Sequence, residues 1–325
     1  VNDGGESFPS EILAVCRQAD TLQPVLIVNG FDRISGPGVV EAGEFQGFMS
    51  WLDRGVPDGK EVGFTGEQYD FDRNSPYRGN DGPGHGASIS EQEGKVIAGN
   101  TFDYPYVHGL ALRAHGLSFS SASDEAVMDS TILLYPYRLV DLILGKEKET
   151  PWPKGIGDSL HGKQFKAFPP ALQYCLESYL QSGGNLFVSG AYLGSELFSG
   201  RDSVSVKFAR SILRFNWAAS HASRTGLVHA ASPAFMASPD TMLFNTKFDR
   251  DFYIVESPDA INPAGGSTQL LRYSENEFGA GIGYKKEYGV ITLGFPFESI
   301  INPLQREQLM GSILRYLYVA NTPKL

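Results

Sequence analysis

Acidic residues gather just beyond the apolar runs of this chain. Asp32 and Arg33 follow Val25-Leu26-Ile27-Val28-Asn29, Asp124 and Glu125 follow a run through Leu117-Ser118-Phe119, and Glu147 follows Leu139–Leu144. Carboxylates held close together act as acid and base when their surroundings separate their pKa values, the usual arrangement for breaking a glycosidic bond. The candidate catalytic acids are therefore Asp32, Asp124, Glu125 and Glu147. A structural reading accounts for the same residues: Asp32 and Arg33 form an internal ion pair, and Asp124 caps a helix that starts at Glu125.

A serine route is the second possibility. Ser189 lies in Leu186-Phe187-Val188-Ser189-Gly190-Ala191, and a serine nucleophile needs a base within hydrogen-bond reach. His108 and His85 are the candidates for that base; Ser189 could equally bond to the backbone of its own turn. Asn29, Arg33, His85, Asp103, Tyr104 and Tyr192 complete the set as substrate contacts, with Tyr104, Tyr106 and Tyr192 able to stack on sugar rings. Asp70, Asp72, Asn74 and Asp81 mimic a calcium loop, but Ser75 stands where glycine is required, Pro76 follows, and the last ligand is Asp rather than Glu. No two histidines have the i, i+4 spacing that favours zinc. Neither a metal nor a cofactor is expected.

The elements that must position these residues read as an alternation of strand and helix. Leu172, Cys175, Leu176, Tyr179 and Leu180 recur at helical spacing before Gly183-Gly184, and Cys175 on that stripe reads as a buried thiol. Leu186-Phe187-Val188 is then a short apolar run between glycines, as a strand covered on both faces would be. Val25–Val28, Leu139–Leu144 and Gly289–Leu293 repeat the pattern. This alternation predicts an α/β fold with a doubly wound, mostly parallel sheet. A long inserted loop, about 53–100, carries Phe64, Tyr69, Phe71 and Tyr77 and could wall a cleft. Val204 to Phe215 has helical spacing; 227–284 reads as a β-rich extension; Asn302 and Pro303 open a last helix with Leu309, Met310, Ile313, Leu314 and Leu317 on one stripe.

The 325 residues, 42% of them hydrophobic, can bury a large core. Thirty-seven acidic against 27 basic residues give a formal charge of −10, which disfavours nucleic acid as a partner, and no apolar run is long enough to span a membrane. Residues 1–18 resemble the last hairpin of a fibronectin type III module or form an N-terminal arm, leaving 19–325 as the main domain. With a preceding module, neighbouring domains of a longer chain become partners.

Four motifs together carry a wider resemblance: Val25–Arg33, Ser121–Val127, Val140–Glu147 and Gly183–Ala191. In that order they resemble a domain of secreted bacterial proteins that carry fibronectin type III modules and are called xanthan lyase-like or amidase-like. That domain is similar to class I glutamine amidotransferases, which implies a flavodoxin-like layered fold and a location outside the cell or on its surface. The active amidotransferases have cysteine on the elbow after the central strand and a His-Pro-Glu group later. Here the elbow reads Ser189-Gly190-Ala191-Tyr192-Leu193 and the later group Phe295-Pro296-Phe297-Glu298, so neither the thiol nor its histidine is present and glutaminase chemistry is not expected. Two functions stay open: a secreted hydrolase of a polysaccharide, glycopeptide or ester-decorated glycan, and a non-catalytic carbohydrate-binding or scaffolding domain that has lost its nucleophile.

Overall fold

The apolar runs that read as strands lie side by side in one sheet. A computed structural model describes residues 13–18, 24–31, 39–42, 45–48, 74, 76, 104–151, 163–164, 166–200, 202–232, 235, 241–247, 252–253, 255 and 257–318. In chain order the elements are β1 (Val25–Asn29), β2 (Val39–Ala42), β3 (Phe45–Phe48), α1 (Tyr104–Ala114), β4 (Phe119–Ser123), α2 (Asp124–Met128) and β5 (Leu139–Gly145). They continue through β6 (Thr150–Pro151), β7 (Lys163–Gln164), α3 (Pro170–Gln181), β8 (Asn185–Gly190), α4 (Leu193–Ser199), α5 (Ser203–Ser211) and β9 (Phe215–Ala219). The last third holds β10 (Leu227–Ala230), β11 (Thr241–Leu243), β12 (Ala260–Pro263), β13 (Thr268–Tyr273), β14 (Gly279–Lys285), β15 (Gly289–Leu293) and α6 (Pro303–Tyr318).

Nine strands form the main sheet in the order β11-β10-β13-β14-β15-β8-β5-β1-β4. From β15 to β4 every neighbouring pair is parallel, and from β15 to β11 every pair is antiparallel. The fold is thus mixed α/β. Strand alternation sorts the core into two faces: Val25, Ile27, Leu139, Ile143 and Phe187 join α1 and α6 on one, while Leu26, Val28, Val140, Leu142 and Val188 join α2 to α5 on the other. Strands covered on both faces have no solvent side, which is why these runs are mostly apolar, with Asp141 the lone charged residue in β5.

Local chemistry sets the ends. At the end of α3, Gly183 takes φ +92°, its N–H donates to Leu180 O at 2.9 Å, and that of Gly184 to Tyr179 O at 3.2 Å, a glycine-closed helix end that aims the chain into β8. Pro105 fits the first turn of α1, where its missing N–H has no partner to lose. Asn302 Oδ1 accepts from Leu304 N at 2.9 Å at the start of α6, whose stripe Leu309, Met310, Ile313, Leu314 and Leu317 is buried. Residues 13–18 run along β4: Cys16 and Phe119 exchange backbone bonds, and Ala14 N donates to Ser121 Oγ at 2.7 Å. That strap covers the edge strand's otherwise free groups.

Three sequence expectations change. The helix expected from Val204 to Phe215 stops at Ser211, because Arg214 adopts φ +64° and Phe215 opens β9, which pairs with β12. Ser123, rather than Asp124, is the N-cap of α2, its hydroxyl accepting from Ala126 N, so Asp124 is the first helical residue. Cys175 is only half-buried; its thiol lies 3.6 Å from Val127 O and burial pushes its pKa up.

Candidate functional site at the strand ends

Register places Ser123, Asn29, Ile143, Ser189 and Leu293 in one row across the carboxyl ends of the parallel strands. Ligands of open α/β sheets bind beyond such a row. Asp124 directly follows β4, Glu147 lies two residues beyond β5, and both are buried, as are Asn29 and Lys146. Because β1 lies between β4 and β5, the ends that carry these two acids are two strand spacings apart, roughly 9–10 Å. Glu125 points to solvent, away from Asp124. Asp32, Arg33, His85 and Asp103 lie outside the described residues, as do Asp70, Asp72, Asp81 and all of the 53–100 loop except 74 and 76.

Two of the three aromatic candidates are buried in the core. Tyr104 stacks on Phe31 at 5.5 Å between ring centres, and Tyr192 lies under Lys148 Nζ at 5.0 Å. Both rings are buried, and Tyr106 is the one of the three with an exposed side chain.

Among the described residues the elbow presents no exposed nucleophile. Ala191 and Ser189 are both buried, and Ser189 Oγ has no hydrogen-bond partner among the described residues. Ala191 is not among the described non-glycine residues with positive φ, so the strained turn that presents a nucleophile is not built here. A carboxylate from a distant segment occupies the start of α4: Asp259 Oδ2 accepts from Gly194 N at 2.8 Å and Ser195 N at 2.7 Å. Its Oδ1 accepts from Trp217 Nε1 at 3.1 Å and Ser220 Oγ at 3.3 Å. Burial pushes the Asp259 pKa up to about 7, against those donors, which pull it down. Glu196 on α4 likewise accepts from the backbone N–H groups of Glu149, Ala167 and Phe168.

His108 stands elsewhere. From α1 it reaches down to the middle of the sheet, where Nδ1 is 2.9 Å from Asp141 Oδ2 and Nε2 is 3.2 Å from Glu298 Oε2. All three are buried, and Tyr253 donates to Glu298 Oε1 at 2.6 Å. Burial would lower the His108 pKa, but the two carboxylates outweigh it and hold it at about 9. Burial pushes the Asp141 carboxyl up while the His108 charge pulls it back. Both imidazole nitrogens are engaged by these acids, and the described hydrogen bonds bring no base to Ser189.

Sequence reasoning missed Asp141, Tyr253 and Asp259. Asp141 carried a signal: it is the lone charged residue in Leu139–Leu144, and an acid inside a doubly covered strand must find a partner. Asp259 carried none, since its side-chain partners are 39 to 65 residues away in sequence. Two surface clefts lie away from this region, one of about 470 Å³ bordered by Leu133, Tyr135 and Tyr174, and one of about 300 Å³ between α1 and α6. No candidate residue lines either. Among the described residues no helix is long and apolar enough to cross a membrane.

No protein-family model matches the chain, and no curated protein does. Among solved structures it is similar to an exo-β-1,4-mannosidase from Opitutaceae bacterium strain TAV5, at 11% identity and TM-score 0.37, covering 67% of this chain and 31% of the mannosidase. It is similar to a cytoplasmic protein from Salmonella typhimurium LT2, at 10% identity and TM-score 0.45, covering 91% and 97% of the two chains. A glutamine amidotransferase from Thermotoga maritima aligns at 14% identity and TM-score 0.37, covering 64% and 90%. The chain thus spans about a third of the mannosidase it matches.

Proposed function

We propose that this chain is a hydrolase of glycans, with Asp124 and Glu147 as its acid and base. The observation that carries this reading is the delivery of two buried carboxyls to strand ends on either side of β1, roughly 9–10 Å apart at the backbone, with Asn29 between them. Enzymes that hydrolyse glycosidic bonds with inversion keep their carboxyls roughly 6.5–9.5 Å apart to admit a water molecule. Burial is also what raises the pKa of a carboxylic acid enough for it to donate a proton near neutrality. In this reading Asp32 and Arg33 complete the site from beyond β1. The substrate is a polysaccharide, glycopeptide or ester-decorated glycan, and the layered fold is a doubly wound relative of class I glutamine amidotransferases with a β-rich extension. Secretion and neighbouring fibronectin type III-like modules belong to the same proposal.

A second reading, a non-catalytic glycan-binding domain, is favoured by one observation: Ala191 stands at the elbow and Asp259 fills the start of the helix behind it. One experiment separates the two. The wild type, Asp124→Asn and Glu147→Gln are incubated with a panel of polysaccharides, glycopeptides and acylated glycans while products are followed by NMR. The hydrolase reading expects an inverted anomeric product from the wild type and a loss of at least about 100-fold in either variant. Binding without turnover supports the second reading; turnover equal in all three proteins refutes the acid pair.

A further inference from the structure

We infer that His108 is carried as an imidazolium, giving one N–H to Asp141 and the other to Glu298, and that this buried cation is a latch holding α1 over the centre of the sheet. The argument is one of donors and acceptors. Asp141 Oδ2 and Glu298 Oε2 lie 2.9 Å and 3.2 Å from the two ring nitrogens, and ionised carboxylates only accept. A neutral imidazole has one N–H and would set its remaining lone pair against a carboxylate in a fully buried site. Glu298 is already an acceptor on its other oxygen, from the Tyr253 hydroxyl.

Three further elements bring charge toward the ring. β5 contributes Asp141 and the turn after β15 contributes Glu298; against them stand His108 and, from α6, Arg306, whose guanidinium acts on Glu298. β8 and that turn add only the rings of Phe187 and Phe297, 6.1 Å and 4.6 Å from the imidazole. Lys146 lies 5.9 Å from the ring centre of Tyr253, one residue further out. Asp141, Glu298 and His108 are buried while Arg306 is half-buried at a surface cleft beside Glu307, so removing the proton from His108 leaves uncompensated negative charge in the core.

The latch leads to the strand ends. Tyr253, bonded to Glu298, packs edge-on against Tyr104 at 5.6 Å, and Tyr104 in the first turn of α1 stacks on Phe31, immediately beyond β1. Loosening α1 therefore loosens the rings beside Asn29. With a pKa of about 9 in the fold against 6.5 for a free histidine, the latch is complete below pH 6.5 and is lost as pH rises through 9. That difference corresponds to a factor of about 300 in the equilibrium between closed and open forms.

Two measurements on the full chain test this. Long-range ¹H–¹⁵N correlation of ¹⁵N-histidine protein should show His108 with two protonated ring nitrogens at pH 7, titrating with a midpoint near 9; one bare ring nitrogen at pH 7 overturns the assignment. His108→Gln identifies the signal, and if that variant does not fold, replacing the other histidines one at a time identifies it by elimination. Amide exchange, corrected for intrinsic rates, should then show α1 opening about 150-fold more readily at pH 10 than at pH 6.5, where half of the free imidazole is already neutral, while α3 changes little. Equal loss of protection in α1 and α3, or loss in neither, overturns the latch.

Discussion

Gly109 sets how closely α1 can approach the sheet, and a single methyl group tests that geometry. A Cβ added there would lie 2.2 Å from Phe119 Cζ and 2.8 Å from both Cε atoms, where ordinary contact starts near 3.4 Å. Relief by rigid movement of α1 requires an outward shift of about 1 Å. Such a shift takes the 3.2 Å contact from His108 to Glu298 beyond hydrogen-bond range. Two terms oppose each other. Alanine in place of glycine favours the helix by about 1 kcal/mol. Overpacking costs about 1–3 kcal/mol, and weakening a buried charge pair adds to it, up to about 3–5 kcal/mol if one partner is wholly lost. Gly109→Ala should therefore be destabilised by about 2–4 kcal/mol in urea unfolding. Phe119→Leu, which trims the ring, should recover part of that loss in the double variant, a coupling of about 1–2 kcal/mol. A Gly109→Ala protein as stable as the wild type, or more so, would show that α1 does not rest on Phe119 and that His108 is not drawn in by it.

Two further substitutions probe the elbow and the last helix. Ser189→Ala removes a buried hydroxyl that has no partner among the described residues, so thermal unfolding should be unchanged or raised by an amount worth up to about 1 kcal/mol; selective loss of glycan hydrolysis in a folded variant would instead restore Ser189 as a nucleophile. Ile313→Asp places a carboxylate in the fully buried stripe of α6 and should cost more than about 4 kcal/mol, abolishing the cooperative melt; a native melting transition would refute the docking of that helix.

What the sequence disclosed depended on how local the cause was. The glycine-closed end of α3, the strand at 185–190 and the stripe of α6 follow from residues within a few positions of one another, and all can be read directly. The end of α5 could not, because it depends on Phe215 pairing with a segment near residue 263. The site was half legible. Positions after strands marked Asn29, Asp124 and Glu147, yet adjacency in sequence gave no means of separating Asp124, which faces in, from Glu125, which faces out. Likewise the pairing of Ser189 with His108 was a question of two points 81 residues apart, and the fold gives that histidine other partners, while His85 lies outside the described residues.

Asp141 shows how a composition rule and a site argument converge. Its neighbours in the sheet row are Ile27 and Phe187, so its side chain shares the face where α1 and α6 pack, and it is fully buried there. An ionised carboxylate at that depth costs several kcal/mol unless a cation meets it, and the nearest cation has to come from the helix that covers the row. His108 on α1 is that group, and the Glu298 of the later motif completes its bonding. Pro296 stands two residues before that glutamate, so no histidine reaches it from its own turn. The glutamate here has a histidine all the same, supplied by α1, directed at the sheet's centre and away from the elbow. Such a pair cannot activate a nucleophile at position 191; it can fix the layer above the sheet, and its dependence on one proton is what makes that role measurable.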